Sequence, residues 1–87
     1  MNILGQEFEI VYRDCFHPED ADMGKTDTRL SQIIIRQNMN QDVSESTVLH
    51  EVIHAISDKL GLELSEAQVL GVESGLYSVG YLSLIHI

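Results

Sequence analysis

The sequence predicts a small α+β domain, and three observations carry that expectation. Two stretches with strand character come first, two capped helical stretches follow, and about four residues join the helices. The expected arrangement is a short β-sheet packed on a helix at about 43–60, with an antiparallel partner helix at about 66–78. At 87 residues the chain has room for one core, so 1–87 should form a single domain.

The first strand is expected over residues 7–12 (EFEIVY), where Phe8, Ile10 and Tyr12 alternate against Glu7, Glu9 and Val11. The next stretch, RDCFHPEDADMGKTDT, holds the only proline, a glycine and a cluster of acids, and reads as a loop with little regular structure. Residues 29–36 (RLSQIIIR) suggest a second strand. Three consecutive β-branched residues favour it over helix, with Ile33 and Ile35 facing one way and Ile34 the other.

In the first helix, Asp42 is placed to cap the start and Glu45 to complete a capping box. Leu49, Ile53, Ile56 and Leu60 recur at helical spacing as its apolar stripe, which Val52 widens. Gly61 is the expected left-handed residue past its end, with Leu62 packing back on the last turn. The second helix opens on a capping box, Ser65 with Gln68, clamped by Leu64 against Val69. Its stripe is Val69, Val72, Leu76 and Val79.

Charge and cysteine content narrow the function classes. A net charge of −9, with only five Lys and Arg, argues against nucleic acid as a partner, since nothing here neutralises a row of phosphates. Cys15, the single cysteine, has no internal disulfide partner and reads as a free thiol. No apolar run approaches the ~20 residues of a membrane span, and MNILGQEFE lacks the pattern of a signal peptide. A cytoplasmic protein without membrane or nucleic-acid partners is expected.

The chemistry is concentrated in STVLHEVIHAIS, residues 46–57. His50 and His54, four apart on a helix, share one face with Cβ atoms about 5–6 Å apart. Two imidazoles so placed can converge on one tetrahedral zinc ion. Glu51 lies beside them and can reach a water on the metal rather than the metal itself, as a general base must. The bland alternative is a pair of incidental surface histidines. Against it, HEVIH sits mid-helix, beside the apolar stripe rather than on it, and follows a candidate strand.

STVLHEVIHAI, with a short strand before it and LELSEAQVLGVESGLYSV after it, resembles the small zinc metallopeptidase-like proteins of phages and prophages. These are similar in plan to zincin-type, gluzincin-like endopeptidases, and the resemblance covers roughly residues 27–79. It implies a small sheet against an active-site helix and a following ligand helix. It also implies Zn2+ held by His50 and His54, Glu51 as catalytic base, and a peptide or protein substrate. The alternatives are a catalytically inactive zinc-binding regulatory or structural phage protein, and a structural protein whose histidines are incidental.

The third metal ligand is open at this stage. No third histidine follows at metzincin spacing; His17 lies in the loop and His86 in the tail. Glu63, Glu66 and Glu73 are the acids in reach. In a tight antiparallel hairpin the second helix draws level with His50 and His54 near Glu73, whereas Glu66 comes roughly 10 Å too early. Spacing therefore puts Glu73 first. The resemblance favours an acid at the helix start, as in SEAQV, and keeps Glu66 as the competing ligand. Glu63 reads as a solvated turn residue. Tyr77, four after Glu73, is an aromatic at the helix edge or a hydrogen-bond donor to the site. Asp58, four after His54, is a solvent-facing acid or an acceptor orienting that imidazole. Residues 80–87, ending YLSLIHI, are atypical of such proteins and read as a truncated or misjoined tail, or as a short strand added after the helix.

Overall fold

The computed structural model describes residues 1–13 and 23–80; Cys15, His17, His86 and the tail from residue 81 lie outside the described residues. Short strands β1 (Asn2–Ile3) and β2 (Gln6–Glu7) form an antiparallel hairpin. Leu4 and Gly5 make its two-residue turn, both at positive φ (50° and 88°), which matches the right-handed twist of flanking strands. Strands β3 (Glu9–Arg13), β4 (Gly24–Asp27) and β5 (Gln32–Arg36) form a mixed sheet in the order β3-β5-β4. In it β3 runs parallel to β5, with Ile10 opposite Ile33, and β4 runs antiparallel, with Thr26 opposite Ile33.

The isoleucine run becomes the central strand because it can bury both faces. Ile33 and Ile35 are fully buried on one side, and Ile34, facing the other, is 5 % exposed. In β3, Phe8 just before the strand is buried and Ile10 packs on the core, but Tyr12 stands half exposed. Strand β4 corrects the expectation of an irregular loop. GKTD has no apolar alternation of its own and is held as a strand by β5. Asp27, at its end, accepts from the Leu30 backbone N–H (3.0 Å) and shapes the turn into β5.

Helix α1 spans Gln41–Leu60. Its cap is Asn40, whose side chain accepts from Val43 N at 2.9 Å, so Asp42 lies inside the first turn. Glu45 accepts from the Gln41 side chain instead of closing a capping box. At the other end Gly61 is left-handed (φ 64°). Gly61 N–H donates to Asp58 O and Leu62 N–H to Ser57 O, the Schellman pattern. Leu60 and Leu62 are more than half exposed there, so the buried stripe ends before them.

Two bodies contact α1, and one stripe does not describe it. Val48 and Ala55, with Val52 and Ile56, pack on Ile3, Phe8, Ile33 and Ile35; Leu49 and Ile53 pack on Val69. Helix α2 spans Glu66–Ser78, with the Ser65–Gln68 capping box formed in both directions. Leu64 and Leu76 pack around Val69, but Val72 and Val79 are exposed. The helices run antiparallel, since Ser57 meets Leu64 while Ser46 meets Glu73. No helix among the described residues is long and apolar enough to cross a membrane.

Candidate metal centre

The HEVIH helix carries its three polar side chains along the floor of an open groove of about 1010 Å³. The groove runs between β4 and α2, with α1 as its floor. His50 and His54 stack edge to face, ring centroids 4.8 Å apart, as the i, i+4 spacing requires. Their Nε2 atoms lie 3.2 Å apart. The carboxylate of Glu66 reaches both, at 2.5 Å to His50 Nε2 and 3.1 Å to His54 Nε2.

Glu73 is elsewhere on the same cluster. Its Oε2 lies 2.8 Å from His50 Nδ1, and its Oε1 accepts from Ser46 Oγ at 3.0 Å. The side chain is 14 % exposed, against 64 % for Glu66. Two of the acids singled out in the sequence thus meet the histidines, Glu73 at the outer ring nitrogen of His50 and Glu66 where the Nε2 atoms converge. The connection folds back further than a tight hairpin does, which brings Glu66 into reach. Gly61 and Glu63 are both left-handed, and Leu64 N–H donates to Ser57 Oγ at 3.0 Å. By residue 64 the chain has already returned to the level of Ser57. Glu66 therefore begins α2 near His54, and Glu73, seven residues and about 10 Å further on, comes level with Ser46.

Protons or a metal ion must lie among these groups. Two imidazole nitrogens and two carboxylate oxygens facing one another are all acceptors unless a proton or a metal ion lies between them. Burial alone opposes the charged form of His50, yet hydrogen bonds to Glu73 and Glu66 outweigh it and raise its pKa above the ordinary value. Burial likewise opposes ionisation of Glu66, but the hydrogen bonds from His50 and His54 prevail and lower its pKa.

The donor set also fits a metal ion. Nitrogens on one tetrahedral zinc at about 2.0–2.1 Å are about 3.3–3.4 Å apart, close to the 3.2 Å found between the Nε2 atoms. One ligand atom from each of His50, His54 and Glu66 lies within 4.8 Å of the others. Compared with known protein families, with curated proteins and with solved structures, the chain matches none.

Glu51 is 6 % exposed, and its Oε1 lies 2.9 Å from the Thr26 hydroxyl, which is also 3.0 Å from the Glu51 backbone carbonyl. Burial raises the Glu51 pKa, against the lowering effect of the Thr26 hydrogen bond and the nearby histidines. Thr26 is a functional contact that sequence reasoning missed, because β4 gave no strand signal. Gly24 makes that contact reachable. A Cβ there would stand 2.8 Å from Thr47 Cγ2 and 3.1 Å from Ile34 O, so only glycine lets β4 approach α1 this closely.

Of the other candidates, Asp58 lines the groove, but no hydrogen bond joins it to His54. Tyr77 is 47 % exposed on a shallower pocket that also includes Ser46 and Glu73. Glu63 is an exposed turn residue.

Proposed function

We propose that this chain is a zinc-dependent hydrolase, a peptidase in class, with His50, His54 and Glu66 as the metal ligands. The observation that carries the reading is the convergence of both Nε2 atoms and the Glu66 carboxylate in the groove that also holds the buried Glu51. A structural zinc site would close with a fourth protein ligand. Among the described residues no fourth side chain of a ligand type joins this group, since Glu73 engages the other face of His50.

Bound zinc would supply a Lewis acid for the substrate carbonyl and acidify a water molecule. This chain's residues would do the rest. Glu73 accepts the Nδ1–H of His50 and so fixes the tautomer whose Nε2 lone pair faces the metal. Ser46 holds the other oxygen of Glu73 in place. Glu51, made more basic by burial and oriented by Thr26, takes the proton of the attacking water and returns it to the leaving amine. Strand β4 is an edge strand lining the groove, so an extended peptide can lie along its outer edge. A peptide or protein substrate and a phage-related setting rest on the resemblance of STVLHEVIHAI to that class of protein, and a cytoplasmic location on the lone Cys15 and the sequence pattern.

The test is metal stoichiometry after exhaustive dialysis. Wild-type protein and Glu51→Gln should retain one zinc per chain, His50→Ala/His54→Ala none, and Glu66→Gln much less than Glu73→Gln. Peptide-pool cleavage should be present in the wild type and absent from Glu51→Gln. Stoichiometric zinc in the double histidine variant would rule the site out.

A further inference from the structure

We infer that the groove selects a substrate carrying a large aliphatic side chain at a residue next to the reacting carbonyl, seated against Leu70. The inference rests on the metal-site reading above and adds a substrate class to it. Among the exposed large hydrophobic residues, Leu70 (49 % exposed) and Met23 (51 %) line the groove that holds the histidines, and they do so from opposite walls. Single exposed apolar side chains need no explanation, but a facing pair inside a polar, concave site is what a ligand pocket uses for grip.

The position of Leu70 is fixed by the same helix that delivers the carboxylates. It lies four residues after Glu66 and three before Glu73, which on α2 places it on their face and between their levels. A molecule engaging the cluster from the groove therefore has Leu70 beside it. Helix α2 turns its buried face, centred on Val69, toward Leu49 and Ile53, so Leu70 is not needed for that core. Met23 precedes Gly24 at the start of β4, and its backbone carbonyl accepts from Arg36 N at 2.8 Å, which anchors the opposite wall. Its unbranched side chain can adjust to aliphatic groups of different shape.

Amino-acid hydroxamates provide the probe, since they place a metal-chelating group beside a chosen side chain. Binding of leucine hydroxamate and serine hydroxamate to the zinc-loaded full chain is measured by calorimetry, with zinc content determined in the same samples. Leucine hydroxamate should bind about tenfold more tightly, the range that a few buried methylenes supply. In Leu70→Gln, and in Leu70→Ala as a smaller change, the ratio should fall toward one while zinc remains stoichiometric. Met23→Ser should lower it less. Equal binding of the two hydroxamates to the wild type, or an unchanged ratio in both Leu70 variants, overturns the inference and leaves the metal site standing. Absence of zinc from the wild type overturns the metal site, and the inference falls with it.

Discussion

Helix α1 and helix α2 share one site, yet they are held in the molecule in different ways. Helix α1 buries Thr47, Val48, Leu49, Glu51, Ile53, Ala55 and Ser57 between the sheet on one side and α2 on the other. In α2 only Val69 is buried, and much of the remaining attachment is polar, through Glu66 and Glu73 to His50, His54 and Ser46. The paired histidines and Glu51 therefore stand on the anchored helix. Glu66, the proposed third ligand, stands on a helix that the site itself helps to hold. Metal binding and the docking of α2 should accordingly be coupled.

The largest effects that test this contrast are on stability. Ile35→Ala, under α1, should cost about 2–5 kcal/mol in urea unfolding. Val72→Ala on α2 should stay within about 0.5 kcal/mol. Comparable costs would erase the asymmetry. Chelation of zinc comes next. At a metal concentration 100 times Kd, binding stabilises by about 2.7 kcal/mol, and on its removal hydrogen exchange should quicken in α2 well before β5 or the centre of α1.

Smaller changes separate the roles of individual contacts. Glu73→Gln should weaken zinc binding about 10–100-fold, as expected of an outer partner of a metal-bound histidine, and Ser46→Ala by a smaller factor, read by competition with a chromogenic chelator. Ser57→Ala should cost about 1 kcal/mol by releasing the Leu64 N–H. It should weaken zinc binding in the wild-type background but little in Glu66→Gln, because it acts by placing Glu66.

The subtlest test is pH. In the metal-free chain, His50 has a raised pKa, so its contribution to holding α2 is complete below about 6.5 and is lost as pH rises through the higher folded value. Glu66, whose pKa is lowered, contributes above its unfolded value and ceases to as pH falls through the folded one. With zinc the slope reverses at His50, because the metal competes with the proton. Protection of α2 between mildly acid and mildly alkaline pH should therefore fall without zinc and rise with it.

Local chemistry made much of this legible in the sequence. The left-handed Gly61, the Ser65 capping box and the Leu64–Val69 clamp depend on residues within a few positions of one another, and all form as the pattern implies. The shared face of His50 and His54 is equally local. The features that escaped are tertiary. Strand β4 exists because β5 is beside it, and Thr26 meets Glu51 across 25 positions. Leu60, Val72 and Val79 were drawn into apolar stripes by periodicity alone, while Val48 and Ala55 were left out because α1 is contacted from two directions. That Glu66 reaches both histidines depends on the return of the chain to Ser57, which no spacing rule encodes.

Gly24 gives the groove an unexpected kind of tolerance. A Cβ at position 24 would meet the Thr47 methyl, the Ile34 carbonyl and the end of Ile35 together, so β4 approaches α1 with no room left for a side chain of its own. The distance from Thr26 to Glu51 is thus gauged by the strand, much as a shim sets a gap. Substitutions along α2 can change what the groove accepts, but a single added carbon at position 24 would alter its width and the aim of Glu51 together.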